Sequence, residues 1–312
     1  MKIAHFSDLH LLALDGVPAW RFFNKRMTGL FNLRLKRASI HRSEYVRAIA
    51  REIRSSGVDH VVITGDLTNL ALESEFDLAR DVIEHELDLD ASRVTIVPGN
   101  HDVYTRGAFR ARRFERYFAP WLESDLPELR HAGTVFPVVK LRGPAAIVAL
   151  SSAVPRLPLV AAGKLGHAQL EVLARVLENP EVKRRVLVLA LHHPAAHPWS
   201  SAKAYLEGLR DAGALLSLLE PRRSGLILHG HLHRRIQRSL STRTGEMQQL
   251  GATSASLHNA APDRMAGFNV YELDERGLSR VDAFVYDPEA SSFRVGSVPR
   301  HALIGQPSAR PE

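Results

Sequence analysis

The chain has 312 residues, 45% hydrophobic and 24% charged, a balance that fits globular structure and excludes a disordered or fibrous chain. Its formal net charge of +7 equals the seven Lys and Arg between Gly16 and Ser43, where no acidic residue occurs, so the basic character is one patch and not a general nucleic-acid-binding surface. The absence of cysteine excludes disulfides, thiolate metal ligands and a cysteine nucleophile, and agrees with a cytoplasmic protein. The first residues, MKIAHFSDLH, turn polar too early for a secretory signal, and Lys2 to Phe6 reads as a short buried strand. Next comes an insert near 17–42. Within it, Trp20 to Arg37 (WRFFNKRMTGLFNLRLKR) places Trp20, Phe23, Met27, Leu30 and Phe31 on one helical face, with Arg21, Lys25 and Arg34 at its edges. Helical periodicity follows over Glu44 to Arg54 and Glu75 to Leu87, with the apolar runs HVVIT and VTIVP before and after the second of these. A second basic and aromatic stretch then interleaves Arg106, Arg110, Arg112, Arg113 and Arg116 with Phe109, Phe114, Tyr117, Phe118 and Trp121. A helical pattern at Leu170 to Leu177 precedes the run VLVLAL, LIL comes after it, and Gly267 to Leu273 with Val281 to Tyr286 reads as an antiparallel pair. Alternation of short apolar runs with helical patterns predicts an α/β domain over 1–290. Residues 291–312, ending in the Pro-rich stretch from Arg300, are expected to form a loosely ordered tail. No run of about 18 apolar residues occurs, so no membrane span is predicted.

The polar residues just after each apolar run carry the chemistry. KIAHF leads into Ser7-Asp8-Leu9-His10, HVVIT into Gly65-Asp66, VTIVP into Gly99-Asn100-His101-Asp102, VLVLAL into His192-His193, and LIL into His229-Gly230-His231-Leu232-His233. Alone, Asp-x-His or Gly-Asp is an ordinary turn. In an open α/β sheet, however, turns beyond the carboxyl ends of the strands meet in one crevice, so the five sets are expected to converge. In an extended segment residues two apart face the same side, which lets His231 and His233 serve one centre or two adjacent ones.

This ordered pattern, D-x-H, GD, GNHD, H and GHxH, resembles that of the calcineurin-like metallophosphoesterases, over roughly residues 1–275. The resemblance implies a four-layer sandwich of two mixed β-sheets flanked by helices. It also implies two metal ions, one on Asp8, His10 and His233, the other on Asn100, His192 and His231, with Asp66 bridging and His101 over the substrate. His193 is the rival to His192 in the same turn, and the resemblance favours the first position. One departure is Asn69, which stands where some members carry a second Asp that activates the histidine corresponding to His101.

The residue types suit the chemistry in their own right. Two divalent cations about 3.5–4 Å apart neutralise a phosphodiester and lower the pKa of a shared water. One carboxylate must bridge them, and an ionised Asp has two acceptor oxygens for the task. A nitrogen and oxygen donor set without sulfur points to Mn²⁺ or Fe, with Zn²⁺ or Mg²⁺ possible, rather than Ca²⁺. His101 reads as the group that protonates or stabilises the leaving oxygen. Arg106, Arg110 and His197 are candidate substrate contacts, and His41, His60, His85, His131, His167 and His301 are expected on surfaces or loops. The basic aromatic segments suit a lipid-linked or nucleotide-lipid substrate at an anionic membrane surface, through Trp20 to Arg37. A soluble 3',5'-cyclic-nucleotide phosphodiesterase and a non-catalytic metal-binding scaffold are the alternatives.

Overall fold

Alternation along the strands builds the molecule. The computed structural model describes residues 1–18, 21, 41–131, 133–157, 160–196 and 201–301. In chain order the strands are β1 (Lys2–Phe6), β2 (His60–Ile63), β3 (Val94–Ile96), β4 (Val138–Arg142), β5 (Ala145–Ala149), β6 (Val186–Ala190), β7 (Ser224–His229), β8 (Ile236–Ser241), β9 (Glu246–Gly251), β10 (Gly267–Asp274), β11 (Gly277–Asp287) and β12 (Ser292–Gly296). The principal helices are α1 (Ser43–Ser55), α2 (Glu73–Asp81), α3 (Arg106–Arg110), α4 (Arg113–Tyr117), α5 (His167–Glu178), α6 (Pro180–Lys183), α7 (Ser201–Glu207) and α8 (Ala212–Leu219).

Two mixed six-stranded sheets result, in the orders β12-β11-β10-β1-β2-β3 and β4-β5-β6-β7-β9-β8. In the first, β1, β2 and β3 run parallel and β10 pairs antiparallel to β1; in the second, β5, β6, β7 and β9 run parallel. Successive residues of a strand face opposite sides. On β5 and β6, Ile147, Ala149, Val188 and Ala190 therefore join the core shared with the first sheet. Their neighbours Val148, Leu187 and Leu189 pack on Val172, Leu173 and Val176 of α5 and Leu215 and Leu219 of α8. The other side of the first sheet is covered by α1, whose buried Tyr45, Val46, Ile49, Ala50 and Ile53 form one helical stripe. The layers are thus helix, sheet, sheet, helix, as expected.

Three features differ from the sequence expectations. Helical periodicity over Glu75 to Leu87 becomes α2 followed by a π-helical stretch, Val82–Leu87, which ends at Asp88 in the left-handed region. Part of the stretch expected as tail from 291 is a strand, because Phe293 on β12 packs against Phe268 and Tyr286 and the strand extends the first sheet beside β11. Of the aromatic residues after the GNHD turn, Phe114, Phe118 and Trp121 are core residues and Phe109 is exposed. Trp20 and most of the segment to Arg37, His197 and residues 302–312 lie outside the described residues. Arg21 is described, and its guanidinium is paired with Glu73, which Arg113 also engages. Among the described residues no helix is long and apolar enough to cross a membrane.

Lys140 on β4 is buried and donates its ammonium protons to the carbonyls of Ala91 and Val94. Burial, helped by the charge of Arg142, pulls its pKa down to about 8. Between that value and the ordinary range near 10.5, the unfolded chain binds the proton and the native chain does not, so stability rises with pH across this window, by up to ~3 kcal/mol. The melting temperature of Lys140→Met, measured from pH 8 to 10.5, is expected to lack the rise that wild type shows.

Candidate metal centre

The sequence-identified residues leave the carboxyl ends of parallel strands in both sheets. Asp8 and His10 follow β1, Asp66 follows β2, Asn100 and His101 follow β3, His192 follows β6, and His231 and His233 follow β7. The turns are tied together by their own backbones, with Asp8 N–H bonded to Gly65 C=O and His10 N–H to Asp66 C=O, both at 2.9 Å. Nine described non-glycine residues have positive φ, and five of them are Asp8, His10, Asp66, His231 and His233. Such backbone persists where the surrounding structure over-determines it, and here it turns successive side chains onto one point. Space is as constrained as conformation. A Cβ on Gly99 would lie 2.2 Å from Asp66 Oδ1, and one on Gly230 would lie 2.4 Å from Asp8 Oδ2.

Two donor sets emerge. His192 Nε2 and His231 Nδ1 each lie 3.1 Å from Asn100 Oδ1 and 3.2 Å from one another, and His192 Nε2 lies 3.3 Å from Asp66 Oδ2. On the other side, His10 Nε2 is 3.0 Å from His233 Nε2, which is 3.1 Å from Asp8 Oδ1; His10 Nε2 is 3.9 Å from Asp8 Oδ1 and 4.0 Å from Asp66 Oδ2. Donors held about 2.1 Å from one ion are separated by roughly 3.0–3.4 Å, so most of these edges have the length a cation requires. Asp8 Oδ1 is buried and accepts no hydrogen bond among the described residues, as suits an oxygen meant for a cation. Asp66 Oδ1 is occupied by the His101 N–H at 2.7 Å, which leaves Oδ2 as the oxygen between the two sets. The residues present therefore fit two cations sharing one carboxylate.

Hydrogen bonds decide which nitrogen faces the centre. His192 Nδ1 donates to Thr64 C=O at 2.7 Å, so in the neutral ring its Nε2 carries the lone pair. His193 has both nitrogens engaged, Nε2 donating to Ala161 C=O at 2.7 Å and Nδ1 paired with Ser152 Oγ at 2.8 Å. That geometry favours His192 as the ligand. His101 donates from Nδ1 to the backbone C=O of Asn69 at 2.7 Å, while the Asn69 side chain donates to His10 C=O. The missing Asp at position 69 is thus replaced, for orienting His101, by a neutral carbonyl. Asp102 has a structural role, accepting from the backbone N–H groups of Gly99 and Thr68 and from the Thr68 hydroxyl.

Electrostatics follow from burial. Burial raises Asp66, but the charges of His192, His101 and His10 hold its carboxyl well below the usual carboxylate range. Burial and neighbouring imidazoles push His10 and His231 well below the ordinary histidine range, ready to donate lone pairs. His192 is the exception: burial lowers it, yet the charge of Asp66 and its hydrogen bond raise it to about 9.

Sequence reasoning missed three residues. His60, expected at the surface, is fully buried on β2 and bonded to Thr95. His41, also expected there, has its ring 4.9 Å from that of His10 and 6.1 Å from that of His233. Tyr104 stacks on His101 at 5.4 Å between ring centroids. A tyrosine three residues after the GNHD histidine was a readable signal for the last; His41 had none. Arg106 and Arg110 are exposed on α3, which starts five residues after His101, and among the described residues neither forms an ion pair.

The chain and its fold have counterparts among known proteins. The profile of the calcineurin-like phosphoesterases matches residues 1–235. Among solved structures, a dimetal phosphatase from Danio rerio superposes with a TM-score of 0.56 at 17% identity, covering 96% of this chain and 99% of that one. Purple acid phosphatase PPD1 from yellow lupin, Lupinus luteus, superposes with a TM-score of 0.56 at 13% identity, covering 96% of this chain and 54% of the lupin chain. No curated protein matches the sequence.

Two outcomes test the centre. His192→Ala should lose bound metal, and His193→Ala should keep the metal stoichiometry while lowering the melting temperature; elemental analysis after gel filtration reads the first. Because Asp66 holds His192 protonated up to about 9, a cation that takes its Nε2 must displace a proton at lower pH. Metal loading near pH 7 is thus expected to release protons, and apparent affinity to rise with pH toward 9, as calorimetry in buffers of different ionisation enthalpy would register.

Proposed function

The chain belongs to the calcineurin-like phosphoesterase family, a metal-dependent class of phosphoester hydrolases, and within it we propose a binuclear phosphodiesterase or pyrophosphatase. The observation that carries this reading is the meeting of two donor sets on Asp66 Oδ2. Asp8, His10 and His233 would hold one ion, Asn100, His192 and His231 the other, with Mn²⁺ or Fe favoured by the donor chemistry and Zn²⁺ or Mg²⁺ compatible with it. Bound there, the pair supplies neutralisation of phosphoryl charge and an activated water.

The chain's own residues do the rest. Asp66 sets the spacing of the two donor sets, and the His101 amide fixes which carboxylate oxygen faces them. With Nδ1–H committed to Asn69 C=O, the His101 ring delivers a proton to the leaving oxygen from Nε2, as the imidazolium. Tyr104 stacked on the ring limits its rotation.

For the substrate we favour a phosphoester with an apolar portion, lipid-linked or nucleotide-lipid, met by a cytoplasmic protein at the inner face of a membrane. The basic aromatic run Trp20 to Arg37 supports it, as do exposed Arg106, Phe109 and Arg110 beyond the GNHD turn, with His197 a further candidate contact. A cleft of about 540 Å³ lined by His258, Pro262, Met265, Val285, Tyr286 and Val295 would suit an acyl chain.

Metal-loaded protein is expected to hydrolyse a chromogenic phosphodiester and to lose that activity on chelation. Asp66→Ala should lose metal and activity together, whereas His101→Ala should keep metal and lose about 10²- to 10⁴-fold in rate; retention of rate within threefold would remove His101 from the reaction. The membrane part rests on a separate comparison. Wild type should sediment with phosphatidylglycerol vesicles but not neutral ones, and a variant with Arg21, Lys25, Arg26 and Arg34 changed to Gln should remain in solution. Equal behaviour of the two proteins would favour a small soluble substrate, such as a cyclic nucleotide.

A further inference from the structure

Large hydrophobic side chains that stand in solvent are normally scattered over a surface. Here they are gathered. Six are exposed among the described residues, and five of them, Leu12, Phe109, Leu157, Tyr205 and Leu206, are 37 to 72% exposed on segments that follow the carboxyl ends of strands. Leu12 comes after β1, Phe109 lies on α3 after β3, Leu157 in the loop after β5, and Tyr205 and Leu206 on α7 after β6. Val295, on the edge strand β12, is the sixth. The loop of Leu157 and the helix of Leu206 are stitched together beside the His192 turn, by Ala161 N–H to Leu206 C=O at 3.0 Å and by His193 Nε2 to Ala161 C=O. Turns at the opposite end, such as Ser55-Ser56-Gly57, Gly143-Pro144 and Asp274-Glu275-Arg276, offer no large hydrophobic residue. The exposed apolar groups thus mark the end of the sandwich that carries the metal centre.

Charge at that end selects the partner. Tyr104 to Arg113, around Phe109, has Arg106, Arg110, Arg112 and Arg113 and no acidic residue; Leu150 to Gly166, around Leu157, has Arg156 and Lys164 and none either. On and after α7 the acidic groups are engaged, Glu207 4.0 Å from Lys203 and Asp211 accepting from the amides of Leu165 and Gly166, while the Arg210 guanidinium lies 3.5 Å over the Tyr205 ring. Apolar tips among cations match a bilayer with anionic headgroups, which takes the tips below its phosphates and holds the cations among them. A protein docked there would cover the metal centre, whereas a bilayer would present a lipid phosphoester to it. We propose that this end of the sandwich is a docking surface for an anionic bilayer, into which Phe109, Leu157, Tyr205 and Leu206 insert. This rests on the proposed lipid-borne substrate; it adds the face and the contact residues, and it stands on side chains outside Trp20 to Arg37.

Because the chain has no cysteine, single substitutions Phe109→Cys, Leu157→Cys and Leu206→Cys can each carry one environment-sensitive dye, with Ser55→Cys at the opposite end as the control. On phosphatidylglycerol vesicles the dye should brighten at the three rim positions and be quenched by lipid with brominated acyl chains, and it should be unaffected at position 55. Independently of any dye, the double variant Leu157→Ser, Leu206→Ser should bind these vesicles roughly tenfold more weakly, as loss of two inserted leucines implies, with its melting temperature and metal content held. That difference should survive about 1 M salt, where the Debye length is about 3 Å and attraction by the basic residues is screened. Rim dyes that stay silent on vesicles with which wild type sediments, equal quenching at position 55, or a double variant that binds like wild type would overturn the assignment, as would a wild type that ignores the vesicles. Quenching at the rim by a protein that hydrolyses no phosphodiester would instead count against the proposed reaction alone.

Discussion

Everything at this site depends on how one carboxylate, Asp66, is kept ionised in the interior. Desolvation alone would neutralise it. Imidazoles from both sheets prevent that, and the His101 amide fixes its orientation. The cost appears in the surrounding backbone. Gly99 must lack a Cβ because Asp66 occupies the space, and Gly65 approaches the His192 ring so closely that a Cβ would fall 2.9 Å from its Nδ1. Asp102 then braces the two turns from beneath by bonding the amides of Gly99 and Thr68. Carboxylate, glycines and brace form a single arrangement in which no part is adjustable alone.

The two sheets divide the labour around it. The first contributes both carboxylates, His10, Asn100 and His101; the second contributes three imidazoles. Bonds from His192 Nδ1 to Thr64 C=O and from His231 N–H to Asp8 Oδ2 cross between them at 2.7 and 3.1 Å. Ligand orientation and sheet packing are consequently the same interactions seen from two sides.

Much of this is readable from residue order. Each ligand stands within five residues of a buried apolar run, and a parallel strand ending in a tight turn has one place to present its side chains. The layers come from the same alternation. The contents of the site are less legible where partners are remote in sequence. His41 acquires its position from Ser256 and Leu257, over two hundred residues away, and nothing local distinguishes it from a surface histidine. His193 is separated from His192 by its bonds to Ser152 and Ala161, which the dipeptide does not reveal. Strand β12 reads as tail because it is short and mostly exposed, and only the packing of Phe293 identifies it.

The sheet order has a consequence for biosynthesis. β1, which leads into Asp8 and His10, pairs on one side with β2 and on the other with β10, more than 260 residues later. His231 and His233 emerge only shortly before that strand. A ribosome must therefore release most of the chain before the centre of the first sheet is flanked on both sides, and until residue 192 has emerged the early carboxylates have no histidine from the second sheet to offset their charge. Closure by β10 is a long-range step of the kind that slows folding, so the nascent chain carries an incomplete, anionic half-site through most of its synthesis.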